Sequence, residues 1–124
     1  MCRDAGLVSH IHSCGPETQL VRICAEETEL DVIDPLEVPP MGDSNLKELK
    51  EKYGDRLVLK GNLHTVEVML NGSPDEVARA SKKAIEDAAR DGSFILSTGD
   101  QCGRDTPDDN IRAMIDAVEE HGRY

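Results

Sequence analysis

Short apolar runs alternate with longer segments of helical period along the whole chain, and this alternation limits most strongly how the chain can fold. Four runs of four to six residues are typical of buried strands, at 7–12, 30–34, 56–61 and 94–97. Strands that alternate with helices are the pattern of repeated β/α units around a parallel sheet. The sequence therefore predicts an α/β fold with four β/α units and parallel strands.

The segments between the runs carry recognisable helix ends. Pro16 and Glu17 open the first segment, and Asp43 or Ser44 is predicted to cap a helix over 46–53 that Gly54 ends. Ser73 and Glu76 form a capping box, with Pro at the first helical position, for a helix over 74–91.

A fourth helix is predicted to open in the same manner at Thr106. Four of its apolar residues recur at helical spacing and are expected to face inward: Ile111, Met114, Ile115 and Val118.

Composition excludes several classes of function. The 124 residues hold 14 basic and 25 acidic side chains, a net charge of −11, so a nucleic-acid-binding surface is not expected. The sequence has neither a run of about 20 apolar residues nor the apolar core of a signal peptide, and a cytoplasmic protein with free thiols is expected from its four cysteines.

Residues capable of chemistry follow the predicted strands. They lie where parallel α/β folds build their sites, at the carboxyl ends of strands, and they are His12, Cys14, Asp34, Asn62, His64, Asp100 and Cys102. His12 and Cys14 are two residues apart and point the same way if the strand persists, which makes a chelate possible. Packed side chains are the alternative reading of a lone His and a Cys, and Cys24 is expected in the core. Asn62 and His64 form either a pocket wall or a turn.

Five segments resemble the uroporphyrinogen decarboxylase superfamily, in order and spacing: HSCG at 12–15, DVID at 31–34, LKGNL at 59–63, FILSTG at 94–99 and DTPDDNIRAM at 105–114. The resemblance implies a TIM (β/α)8 barrel, of which residues 1–124 form a single partial domain, the C-terminal half. The size agrees, because a whole barrel takes about 250 residues.

The His-x-Cys motif resembles the cobalamin-dependent methyltransferase branch of that superfamily. The resemblance implies a zinc ion held by His12, Cys14 and a further residue after the last strand, a corrinoid carried on a separate protein, and a thiol as methyl acceptor. The family's usual Cys falls on Asp100 here, whereas this chain's own cysteine is Cys102. We favour Cys102 as the ligand and catalytic partner of His12 and Cys14, because soft thiolates suit such a zinc, and we keep Asp100 as the alternative. Asn62 and His64 are candidate cofactor-binding residues.

Two other functions stay open. One is a decarboxylase-like lyase of porphyrin metabolism, in which His12 and Cys14 only line a pocket. The other is a non-catalytic fragment or assembly module. In every case a half barrel leaves unpaired strand edges and an open interior face, so a homodimer or an obligate N-terminal half is expected as partner.

Overall fold

Four parallel strands form one sheet in the computed structural model, which describes residues 2–123. The strands are β1 (His10–His12), β2 (Val32–Asp34), β3 (Val58–Leu63) and β4 (Phe94–Thr98), and they are hydrogen-bonded in the order β1-β2-β3-β4. All four predicted strands are confirmed, although β1, β2 and β3 begin later than predicted and β3 continues two residues further. The order and direction are those expected of consecutive units of a (β/α)8 barrel.

Helices follow the strands in alternation. They are α1 (Thr18–Glu27), α2 (Leu46–Tyr53), α3 (Pro74–Ala88) and α4 (Asp108–His121). The capping box of α3 is confirmed: the Ser73 amide donates to Glu76 Oε2 at 2.7 Å, and the Glu76 amide donates to Ser73 Oγ at 3.4 Å. The helix ends at Ala88 rather than at residue 91, because the chain turns into a left-handed conformation at Asp91.

Two predicted caps are wrong. Asn45 caps α2, accepting the Glu48 amide, while Asp43 reaches across to accept the amide of Thr18 at the start of α1. Ser44 is buried behind this turn and does not cap α2. At α4 the helix begins after Pro107 without a side-chain cap, since Thr106 is buried instead of facing the first amides.

One face of the sheet packs on the helices and forms the core. Ile33, Leu59 and Phe94 lie on this face, and the first two are fully buried. They pack with apolar residues of the helices and of the turns between elements, including Val21, Cys24, Leu49, Leu57, Met69, Val77 and Ile85. Cys24 is in the core, as predicted. Burial of this apolar surface is the main stabilising contribution to the fold.

The other face of the sheet is more polar and more open. Register pairs His12 with Asp34 and Lys60 with Ile95, so these side chains share the face that would line a barrel. Ile95 is 46% exposed. On α4, Ile111 and Met114 pack against the core, but Ile115 and Val118 are exposed, which contradicts the prediction that all four face inward.

A π-helix over Thr65–Leu70, absent from the sequence prediction, joins β3 to α3. His64 Nδ1 accepts the amides of Val66 and Glu67 at its start, and Asn110 of α4 donates to the Met69 and Gly72 carbonyls at its end. Among the helices of residues 2–123, none is both long and apolar enough to cross a bilayer.

Candidate metal site

The site is built where β1 and β4 end on the open face. After β1 the ladder continues for one more residue, because the Ser13 amide donates to the Asp34 carbonyl at 2.9 Å. His12 and Cys14 therefore project to the same side. After β4 the Gly99 amide donates to the Leu63 carbonyl at 2.7 Å and directs Asp100 toward β1.

Three potential metal ligands converge there. His12 Nε2 is 3.3 Å from Cys14 Sγ and 3.7 Å from Asp100 Oδ1, and Cys14 Sγ is 3.7 Å from Asp100 Oδ2. One ligand atom from each residue lies within 4.8 Å of the others. The first and last strand ends of the sheet thus meet across its open face.

This donor set fits zinc. Zinc–ligand bonds of about 2.0 to 2.3 Å in a tetrahedron separate the donor atoms by about 3.3 to 3.8 Å. His12 Nε2 and Cys14 Sγ are 3.3 Å apart, and each lies 3.7 Å from a different oxygen of Asp100. Nitrogen, thiolate and carboxylate are all zinc ligands, and three protein ligands leave a fourth position for a substrate. The residues present can therefore hold a zinc ion of the catalytic type.

A buried carboxylate orients the histidine. Asp34 Oδ1 lies 3.1 Å from His12 Nδ1 and 3.0 Å from His10 Nε2, and Lys60 Nζ donates to Asp34 Oδ2 at 2.7 Å. Burial opposes ionisation of Asp34, but the hydrogen bonds from Lys60 and His10 hold its pKa below the usual value. A carboxylate at Nδ1 fixes the proton there and leaves Nε2 as the lone pair that faces Cys14 and Asp100.

The thiol of Cys14 lies in an acidic environment. Partial desolvation, then the negative charges of Asp100 and Glu37, raise the pKa of Cys14 above its ordinary value. The thiolate is the form that binds metals, so a cation beside Cys14 would oppose this shift and release a proton on binding.

The other predicted site residues lie elsewhere. Cys102 is partly buried and packs against the hydrophobic core. Asn62 donates to the Leu36 carbonyl and His64 caps the π-helix. Both line a separate cavity of about 480 Å³, whose walls also include Val38, Leu46 and Ala84.

The sequence prediction named Asp34 only as one of the residues at strand ends, and it did not name Lys60 or Glu37 as site residues. Asp34 and Lys60 could have been found from strand register, because alternate residues of neighbouring parallel strands share a face with His12. Glu37, which accepts the Gly15 amide at 2.7 Å, follows from an irregular loop conformation, and nothing in the sequence pattern indicates it.

A cleft of about 500 Å³ adjoins two of the three candidate ligands, His12 and Asp100. Its walls come from the ends of the first, second, third and fourth strands: His12, Asp34, Pro35, Lys60, Ser97, Thr98, Asp100 and Gln101. The cleft has space for a small substrate beside His12 and Asp100.

Comparisons with known proteins agree with this architecture. A methyltransferase structure from Methanosarcina mazei superposes with a TM-score of 0.79 at 23% identity, covering 98% of this chain and 34% of its own. The four β/α units are accordingly part of a TIM barrel. Sequence relatives are the methylcobamide:CoM methyltransferases MtbA of Methanosarcina mazei (29% identical, 85% of this chain) and Methanosarcina acetivorans (28%, 95% of this chain).

A uroporphyrinogen decarboxylase of Magnetococcus marinus is 25% identical over 64% of this chain and 22% of its own length. The chain spans about a third of the two methyltransferases, 30% and 31%. The uroporphyrinogen decarboxylase (URO-D) family matches residues 3–121, nearly the whole sequence. The chain therefore belongs to the uroporphyrinogen decarboxylase family.

Proposed function

We propose that this chain is the metal-binding part of a zinc-dependent methyltransferase that moves a methyl group from a methylcorrinoid protein to a thiol. The observation that carries the proposal is the convergence of His12, Cys14 and Asp100 within 4.8 Å at the mouth of the partial barrel. Two relatives named as methylcobamide:CoM methyltransferases support the type of reaction.

In this proposal each residue has a defined task. His12 binds through Nε2, Cys14 through its thiolate and Asp100 through a carboxylate oxygen. Asp34 holds the His12 proton on Nδ1, and Lys60 keeps Asp34 ionised within a buried setting. Zinc, when bound, lowers the pKa of a thiol substrate so that it is present as the nucleophilic thiolate.

Asp100 is the third ligand that the distances favour. Asp100 Oδ1 is 3.7 Å from His12 Nε2 and Asp100 Oδ2 is 3.7 Å from Cys14 Sγ, whereas Cys102 packs against the core. Replacing Asp100 by Ala should weaken zinc binding by at least tenfold, while Cys102→Ala should change it little. The reverse ranking, measured by competition with a zinc chelator, would restore Cys102 as the ligand.

A carboxy-lyase is the second candidate function, because one relative is a uroporphyrinogen decarboxylase. A zinc-containing protein that methylates a thiol in the presence of a methylcorrinoid protein supports the methyltransferase. Zinc-free protein that releases CO₂ from a porphyrinogen supports the lyase. If the protein shows neither activity, with or without a partner that completes the barrel, the third candidate function, an assembly module, is supported.

The open sheet face also requires a partner in this proposal. Leu7 and Val8, just before β1, are 62% and 74% exposed, and Ile95 on β4 is 46% exposed. Exposed apolar residues beside strand edges indicate an interaction surface. We propose that a second copy, or an N-terminal half of the barrel, covers this face and completes the barrel. Sedimentation at micromolar concentration tests this: a homodimer or a complex is expected, and a monodisperse monomer without dye-binding apolar surface contradicts it.

A further inference from the structure

Two buried glutamates connect the loops after β1 and β2. Glu17, 1% exposed, lies just before α1, and its Oε2 accepts the amide of Leu36 at 2.6 Å and that of Glu37 at 3.3 Å. Leu36 adopts a left-handed conformation with φ of 58°. Backbone in this conformation turns successive amides toward one point and forms a small anion-binding concavity, which the Glu17 carboxylate fills.

Glu37 makes the reciprocal connection. Its Oε2 accepts the amide of Gly15 at 2.7 Å, and Gly15 has φ of 97°, a value that suits glycine. Each loop thus supplies a carboxylate to the backbone of the other. The Glu37 side chain also lies beside Gly99. A Cβ atom added to Gly99 would be 3.8 Å from Glu37 Cγ.

The position of these contacts links them to the metal ligands. Gly15 directly follows Cys14, and Gly99 directly precedes Asp100. Glu37 is 7% exposed and Glu17 keeps Oε1 buried without a partner, so the burial of both acids carries a desolvation cost. A surface loop that needed only to connect β1 to α1 would not require two buried acids.

We propose that Glu37, held in place by Glu17, is a positioning residue that fixes the Cys14–Gly15 turn so that Cys14 Sγ faces His12 and Asp100. The proposal rests on the proposed metal site. It does not require Glu37 or Glu17 to touch the metal or the substrate, and it assigns the effect to the Gly15 hydrogen bond rather than to the charge of Glu37.

The test compares Glu37→Met, which removes the acceptor at nearly constant size, with Glu37→Gln, which keeps an oxygen for the Gly15 amide. Cobalt(II) serves as the probe, because its thiolate charge-transfer absorption reports coordination by Cys14. Loss of an outer-shell partner typically costs about 10- to 100-fold in metal affinity. We expect that loss in Glu37→Met, and affinity within about threefold of wild type in Glu37→Gln. Glu51→Ala, an exposed glutamate on α2, is the control.

Amide hydrogen exchange at Gly15 gives a readout without metal. The Gly15 amide of the wild-type chain should be protected, and its exchange should accelerate at least tenfold in Glu37→Met but not in Glu37→Gln. An unprotected Gly15 amide in wild type overturns the proposal even if Glu37→Met does not fold. Unchanged cobalt affinity in a folded Glu37→Met also overturns it. Wild-type protein that binds no cobalt, yet shows a protected Gly15 amide, refutes the metal site alone and leaves the loop connection intact.

Discussion

The two faces of the sheet differ in what they contribute. On the helix-covered face, Ile33 and Leu59 are fully buried among apolar side chains. On the other face, Asp34 is also buried but is surrounded by His10, His12 and Lys60. Apolar burial stabilises the chain, whereas a buried charge network is costly unless every member is paired. Because successive residues of a strand point to opposite faces, the same strands place stabilising apolar residues on one face and the candidate site residues on the other.

The largest expected effect separates two cysteines on opposite sides of this division. Cys14→Ala should abolish stoichiometric zinc binding, because it removes one of three protein ligands. Cys24→Ala should retain zinc and lower only the free energy of unfolding, since Cys24 is buried in the core. Elemental analysis and denaturant titration of both variants check this. Zinc retained by Cys14→Ala would show that Cys14 is not a ligand.

A second pair of substitutions compares the faces directly. Leu59→Ala should lower the free energy of unfolding by about 2 to 5 kcal/mol, because it leaves a cavity in the core. Ile95→Ala, on the open face, should cost the monomer less than about 1 kcal/mol. Its effect should appear in assembly, as weaker association in sedimentation. Equal unfolding costs for both variants, with unchanged association, would mean that the open face is not distinct.

The pH dependence of stability should change with Glu17. Burial raises the pKa of Glu17 to about 7 from an ordinary value of 4.5. The folded state therefore holds this proton more tightly than the unfolded state, so the contribution is fully present below about pH 4.5 and is lost as pH rises through about 7.

Glu17→Gln removes this ionisation. The wild-type chain should lose stability relative to Glu17→Gln between pH 5 and pH 8, by up to about 3 kcal/mol. Chemical denaturation at both pH values measures the difference, with Glu51→Gln as an exposed control. A constant difference across this range would show that Glu17 ionises normally.

The smallest expected effect concerns α3, which packs on the covered face. Ser73→Ala removes the oxygen that accepts the Glu76 amide and should destabilise the protein by about 0.5 to 2 kcal/mol. Zinc affinity should not change, because α3 stabilises the fold and contributes nothing to the ligands. An unchanged unfolding midpoint would show that the cap adds no stability.

Periodicity predicted the covered face well, because each apolar strand needs a helix to bury it. The α2 cap was wrong because Asp43, Ser44 and Asn45 are all good capping residues and only tertiary contacts select Asn45. Ile115 and Val118 were predicted to face inward but are exposed. Helical periodicity predicts an apolar stripe, but it does not predict whether another element covers that stripe.

The site was predicted in part. His12 and Cys14 project together because strand geometry continues past β1, as their spacing predicted. The sequence analysis favoured Cys102 over Asp100, whereas the distances favour Asp100. The two residues are two apart in an irregular loop, and the path of that loop depends on contacts with β3. Glu37 was missed, and Asp34 was named without a specific role, because their partners are 22 residues away in the chain and become neighbours only in the folded sheet.

The most direct test of the proposed metal site is the zinc content of the wild-type chain. Protein prepared under reducing conditions with zinc present, then freed of loosely bound metal by gel filtration, should contain about one zinc ion per chain, as a three-ligand site requires. Far less than one ion per chain would contradict the assignment of His12, Cys14 and Asp100 as a metal site.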